Sequence, residues 1–180
     1  MKIRNAVTKT DYQNIQELYL SAFPKEERPP FFLLKHKAQK GKGTFLVIEE
    51  EEQFLGFLHI ALSNDLVYLA FFAMKEESRS HGYGSQALTL LKQRYAGKKI
   101  LIAREKLDPA AENYAMRVRR YGFYCRNGFT DLPCEIIEAK VHYDAMSTRP
   151  VTPEEYNHLV KEWGSSWILH LVGLEMVNKK

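Results

Sequence analysis

Apolar residues along this chain recur with two periods, every second position or every third to fourth, and each change of period marks an element boundary. Ile3 to Val7 reads as a short strand. Thr10 with Gln13 three residues on resembles a capping box, and Ile15, Leu18, Tyr19 and Ala22 then form one helical stripe. Pro24, Pro29 and Pro30 interrupt the pattern, and a second short helix opens at Phe31 to Leu34, leading through a basic stretch to Gly41 and Gly43. Three apolar runs follow: Thr44 to Ile48, Phe54 to Leu62 and Leu66 to Met74. They are separated by the acidic turn Glu49 to Glu52 and by Ser63, Asn64 and Asp65, which predicts an antiparallel meander.

From Gly84 the period returns to that of a helix, with Ala87, Leu88, Leu91 and Tyr95 on one face. A short strand follows Gly97 at Ile100 to Ala103, then a helix from about Ala110 to Tyr121 and a turn at Gly128. Two more strands are expected, near Phe129 to Leu132 and near Ile136 to Tyr143. The tail from Ser147 holds a helical segment opened by Thr152 and Pro153, and an apolar stretch from Trp167 to Val177. That stretch suits docking on the core or a partner surface, such as that of a homodimer. The expectation is one α/β (α+β) domain over residues 1–146, with residues 147–180 as an extension docked on the same domain.

Composition narrows the class without naming the chemistry. A chain of 180 residues, 45% hydrophobic and 27% charged, fills one core and is short for two ordinary domains. Cys125 and Cys134 have neither the density of a disulfide scaffold nor the spacing of a zinc site, so reduced thiols and no metal are expected. No stretch approaches the roughly 20 apolar residues of a membrane span, so no membrane partner and a cytoplasmic location are expected. The net charge of +4 is modest, and basic residues alternate with acids except at Arg117, Arg119 and Arg120, so charge does not argue for nucleic acid.

The chemistry concentrates where the strand ending at Met74 passes through Lys75 to His81 into a glycine-containing helix start. Unpaired N–H groups at a helix start, backed by the positive end of the helix dipole, attract anions, and Gly82 and Gly84 let a phosphate approach the backbone. Taken alone, the same glycines serve equally to turn a strand into a helix. A Walker loop needs Lys and then Ser or Thr after its last glycine, whereas Ser85, Gln86 and Ala87 follow Gly84. A dinucleotide fingerprint matches locally as Gly82-Tyr-Gly-Ser-Gln-Ala87, with Glu105 about 20 residues on. Its register is poor, because seven residues, Lys75 to His81, separate the strand from Gly82, and the flanking meander leaves no room for repeated βαβ units.

The third match is Arg79-Ser-His-Gly82-Tyr-Gly84, followed downstream by Tyr124-Cys-Arg-Asn-Gly128-Phe129. In this order, and within this succession of elements, the two motifs resemble the GCN5-related N-acetyltransferase (GNAT) family over most of residues 3–146. The resemblance implies a central mixed, mostly antiparallel sheet of about six to seven strands flanked by about four helices and splayed where acyl-CoA binds. It implies an enzyme that transfers an acetyl (acyl) group from acetyl-CoA to a primary amine of a small molecule or peptide. A non-catalytic acyl-CoA-binding module and an NAD-type dinucleotide-binding protein remain as alternatives.

By that resemblance Phe72, Ala73 and Met74 pair with the pantetheine arm as an added strand would. Arg79, Ser80, His81, Gly82, Tyr83, Gly84 and Ser85 cradle the pyrophosphate, with His81 at the rim. Tyr124 faces the thioester sulfur. A phenol with a pKa of about 10 can hydrogen-bond or protonate a departing thiolate with a pKa of about 8.5; a tyrosine packed between Phe123 and Phe129 is the plainer reading of the same residue. Many relatives carry an asparagine seven residues before this tyrosine; here that position is Arg117, which leaves Asn113, Arg117 and Arg120 as subsidiary cofactor contacts. The strand Val67 to Met74 holds no carboxylate, so no general base is identified there. Glu105 is a subsidiary catalytic candidate. Glu26, Glu27 and Arg28 lie where relatives form part of the acceptor site, a segment that also reads as a plain surface turn.

Overall fold

The computed structural model describes residues 1–25, 28–138, 140–163 and 173–179. The chain forms two units, one of Met1–Leu62 with Leu69–Ala96, the other of Ser63–Tyr68 with Gly97–Lys180. Hydrogen-bonded strands follow the order β1 (Lys2–Asn5), β2 (Thr44–Glu50), β3 (Gln53–Ser63), β4 (Leu66–Met74), β5 (Lys99–Glu105), β7 (Val141–Ser147), β6 (Thr130–Glu138), β8 (Glu175–Asn178), a mixed sheet, and β4 contributes residues to both units.

In the first unit β1 (Lys2–Asn5) pairs antiparallel with β2 (Thr44–Glu50), which pairs antiparallel with β3 (Gln53–Ser63). The reversal between β2 and β3 is tighter than the acidic run suggests. Only Glu51 and Glu52 turn, both with positive φ, as a two-residue hairpin matched to strand twist requires. Glu49 and Glu50 stay on β2 because each has a cationic partner, Arg4 and Lys2 for the former and the amino terminus for the latter.

Helix α1 (Lys9–Ala22) starts before the expected Thr10 box. Thr8 is the cap: its hydroxyl accepts from the Asp11 N–H, and the Asp11 carboxylate accepts from the Thr8 N–H. Asp11 wins over Gln13 because it also accepts two hydrogen bonds from the Arg4 guanidinium, each 2.9 Å, while Arg4 Nε donates to Glu49 at 3.0 Å. The stripe of α1 is buried as expected at Ile15, Leu18 and Tyr19, and the Tyr19 ring meets Phe71 of β4 edge-on at 5.1 Å. Helix α2 (Phe31–Gln39) buries Phe31 and Leu34, and Phe31 packs on Phe45 of β2.

The Arg4 contacts hold the buried Asp11 carboxyl well below the usual carboxylate range. A depressed folded-state pKa contributes stability above the unfolded value, about 3.9, that is lost as pH falls below it. Asp11→Ala removes this fork and the cap together and is expected to cost about 2–3 kcal/mol at pH 7. In urea unfolding the gap from the unmodified protein narrows as pH drops below about 4; a gap independent of pH would refute the assignment.

In the second unit Leu66–Tyr68 of β4 pair parallel with Lys99–Leu101 of β5 (Lys99–Glu105), and the ladder stops after these three pairs. β5 pairs antiparallel with β7 (Val141–Ser147), and β7 with β6 (Thr130–Glu138). The expected strand Ile136 to Tyr143 is instead the tip of this β6–β7 hairpin, with Glu138 opposite Val141. Its register shifts between Asp131 and Glu135, where Pro133 has no N–H to give to a ladder.

Helix α4 occupies Tyr114–Arg126, later than expected at both ends. Asp108 holds the preceding residues in a turn by accepting from the Ala110 N–H at 2.9 Å, and Gly122 lies within the helix. The extension adds α5 (Pro153–Trp163) and β8 (Glu175–Asn178), which pairs with β6 and brings the strands to eight, one above the expected range. Of the apolar tail stretch, residues 167–172 lie outside the described residues. Among the described residues, no helix is long and apolar enough to cross a membrane, and no cluster of side chains is suited to a metal ion.

Candidate active site

Helix α3 (Tyr83–Arg94) begins without a side-chain cap. Gly82 is its N-cap residue, with φ +80°, and Ser80 also has positive φ. First-turn N–H groups have no intrahelical partner, so an uncapped start presents donors outward. A Cβ placed on Gly82 would meet nothing within 4 Å. The loop thus combines donors, helix dipole and open space, and its residues fit a pyrophosphate.

Neighbouring side chains hold this loop. Tyr83 donates its hydroxyl to Glu50 at 2.5 Å, which ties the start of α3 to the end of β2. Arg79 Nε donates to the Met74 carbonyl at 3.2 Å; the side chain is exposed, and its Nη groups meet no carboxylate among the described residues. His81 is exposed, with its ring 6.1 Å from that of Tyr83. Ser85 lies in the first turn of α3, where its carbonyl accepts from Thr89.

Upstream, the strand that delivers the loop is shaped by Gly56 of β3. A Cβ there would lie 2.4 Å from the Ala73 carbonyl oxygen and 2.9 Å from Met74 Sδ. Ala73 is buried, while Phe72 and Met74 are half-buried. The apolar run Phe54 to Leu62 does not by itself single out Gly56, although a lone glycine inside a strand pattern is a sign of close backbone approach.

In the second unit the spacing of Tyr124, Gly128 and Phe129 has a backbone cause. Gly128, at φ +78°, ends α4: its N–H donates to the Cys125 carbonyl, and the Phe129 N–H donates to the Tyr124 carbonyl at 3.1 Å. This is a Schellman cap, and the Tyr124 and Phe129 rings supply its apolar contact at 5.5 Å. Capping accounts for Gly128 and for an apolar residue at position 124, but not for the hydroxyl. Tyr124 is 9% exposed, and its hydroxyl has no hydrogen-bond partner among the described residues. Burial raises its pKa, opposed by the nearby Arg120 charge, so the phenol is protonated at neutral pH.

Glu105 is brought together with all three subsidiary cofactor candidates, but as their partner. It accepts from Asn113 Nδ2 at 3.0 Å, lies 3.2 Å from Arg117 Nε, and pairs with Arg120 Nη1 at 2.6 Å. Arg117 also donates to the Asn113 side chain and the Lys106 carbonyl. The cluster fastens the start of α4 to the end of β5. Of the expected acceptor residues, Glu26 and Glu27 lie outside the described residues. Arg28 faces α1, donating to the Leu20 carbonyl with its guanidinium 5.9 Å from the Tyr19 ring centre.

A sequence model of the acetyltransferase (GNAT) family matches residues 12–123, more than half of the chain. The chain belongs to this family. A GNAT protein is an acyltransferase that takes its acyl group from acetyl-CoA. Among solved structures, a GNAT-family protein from Bacteroides thetaiotaomicron is similar at TM-score 0.75 and 22% identity, over 94% of this chain and 96% of its own. An aminoglycoside 6'-N-acetyltransferase complexed with coenzyme A is similar at TM-score 0.65 and 13% identity, over 84% and 99% of the two chains. The PaiA N-acetyltransferase of Thermoplasma acidophilum, also with coenzyme A, gives TM-score 0.59 and 14% identity over 83% and 100%. At such identities the likeness speaks to the GNAT fold. Among curated proteins, no sequence matches.

Proposed function

We propose that this GNAT protein transfers an acetyl (acyl) group from acetyl-CoA to a primary amine on a small molecule or peptide, by direct attack on the thioester. The observation that carries the reading is the open, uncapped start of α3, with its outward N–H groups and space at Gly82. The loop from Arg79 to Ser85 holds the pyrophosphate, and Phe72 to Met74 offer backbone to the pantetheine arm. The bound thioester supplies an activated acyl group and a thiolate leaving group.

Tyr124 donates a hydrogen bond to the departing sulfur; its raised pKa keeps the proton in place for that step. Glu105 acts as the anchor of α4, because both its oxygens are engaged. An ammonium of pKa about 10.4 must shed its proton first, at roughly 4–5 kcal/mol at neutral pH, and positioning of the two reactants offsets that cost. Against the dinucleotide alternative, the acid that would take a ribose hydroxyl is this same engaged Glu105. Against a non-catalytic module stands the unspent hydroxyl of Tyr124.

Incubation with acetyl-CoA and a panel of primary amines is expected to release free CoA thiol, one equivalent per acylated amine. Thiol release at the rate of spontaneous hydrolysis with every amine, from protein that demonstrably binds acetyl-CoA, would favour the non-catalytic module.

A further inference from the structure

Helix α4 is held less by burial than by polar ties. Of its 13 residues only Tyr124 is buried, and Gly122 in its second half has no side chain to pack. A helix with so narrow an apolar contact can turn about its own axis unless something else fixes it. Glu105 fastens its start. A second tie, to which acyl transfer as proposed gives no role, lies at Tyr121, three residues before Tyr124.

The Tyr121 hydroxyl donates to Asp131 Oδ2 of β6 at 2.9 Å, and Arg104 Nη2 of β5 donates to Asp131 Oδ1, also at 2.9 Å. Arg104 is buried, and its Nη1 lies 2.9 Å from Asp144 Oδ2 on β7, its cross-strand neighbour. The guanidinium carbon stands 4.6 Å from the centre of the Tyr121 ring. A buried cation hydrogen-bonded to two carboxylates has little freedom to move, so ring and hydroxyl of Tyr121 are both tied to three paired strands. Hydrogen bonding to Asp131 pushes the Tyr121 phenol up to about 12, so it keeps its proton and donates at neutral pH.

Residues three apart on a helix are neighbours on its surface, so whatever fixes Tyr121 also fixes the direction of Tyr124. We propose that the Arg104–Asp131–Tyr121 chain is a brace that sets the rotation of α4, which makes Tyr121 a positioning residue for the Tyr124 hydroxyl. Its effect on rate rests on the acyl transfer proposed above; its effect on the placement of Tyr124 does not. A displacement of about 1 Å at a reacting group costs up to about 100-fold in rate.

Tyr121→Phe deletes the hydroxyl, keeps the ring beside Arg104 and leaves Asp131 paired with Arg104. With acetyl-CoA and the most rapidly acylated primary amine of a panel, kcat is expected to fall about tenfold and KM for acetyl-CoA to stay within about twofold. In a Tyr124→Phe background the same substitution is expected to change kcat by less than about twofold, because no hydroxyl is left to position. Equal losses in both backgrounds, or no loss in the unmodified one, would overturn the proposal. Placement is read without turnover by NMR of protein labelled at its tyrosine rings. The Tyr124 resonance, assigned by its absence from Tyr124→Phe protein, is expected to move in both Tyr121→Phe and Asp131→Ala protein; an unmoved resonance would refute the brace. If no amine were acylated and the resonance still moved, the acyl-transfer reading would fail and the brace would stand.

Discussion

Replacing Tyr124 with phenylalanine is expected to lower kcat about 100-fold while leaving KM for acetyl-CoA within about twofold. The substitution removes one oxygen and retains the ring that closes the α4 cap against Phe129. Because the hydroxyl has no partner among the described residues, its loss leaves no protein group unsatisfied, and stability should change by less than about 0.5 kcal/mol. That combination separates a chemical role from a packing role. Tyr124→Leu keeps an apolar residue at the cap but loses the edge-to-face contact, and should lower stability as well as rate. A Tyr124→Phe protein with unchanged rate and pH profile would show that the residue serves the cap alone.

Gly56→Ala should have the largest effect of any single methyl group in the first unit. The new Cβ would sit 2.4 Å from the Ala73 carbonyl oxygen and 3.1 Å from Met74 Cα, both main-chain atoms that cannot rotate aside. Either β3 or β4 must shift. Overpacking of this kind costs about 1–3 kcal/mol or more, which for a chain of this size lowers Tm by roughly 2–4 °C per kcal/mol. Ala73 and Met74 are also the proposed rail for the pantetheine arm, so KM for acetyl-CoA should rise about tenfold even below the melting temperature. Gly82→Ala is the contrasting case. Its Cβ meets no protein atom, so its stability cost is limited to about 1 kcal/mol of backbone strain, while the methyl intrudes on the space proposed for phosphate. Unchanged KM in Gly56→Ala protein would detach Ala73 and Met74 from the cofactor.

Much of the fold was legible because burial imposes strict periods. Ile15, Leu18 and Tyr19 on α1, Ala87, Leu88 and Leu91 on α3, and the three apolar runs of the meander all lie where their spacing requires. The boundaries that depart from the sequence pattern are those decided by single polar contacts. Thr8 rather than Thr10 caps α1 because Asp11 finds Arg4, a partner invisible in local sequence. The start of α4 waits for the Asp108 turn, and the β6–β7 hairpin reads as one strand in sequence because apolar residues continue up to its tip. At the site, the glycine loop and the tyrosine motif were legible as patterns. The engagement of Asn113, Arg117 and Arg120 by Glu105 was not, since i, i+3 spacing puts arginines on one face without saying what waits there. Nor could the sequence separate the two causes of the Tyr124 motif, a helix cap and a phenol.

The claim on which the rest depends is that the α3 start holds an acyl-CoA. Thermal unfolding with acetyl-CoA, free CoA, NAD and ATP tests it most directly. At a 100-fold excess over Kd, acetyl-CoA should stabilise the protein by about 2.7 kcal/mol, a rise in Tm of roughly 5–11 °C, with free CoA similar and NAD without effect. Stabilisation by NAD but not by acetyl-CoA would contradict the account and restore the dinucleotide reading of Gly82, Gly84 and Ala87.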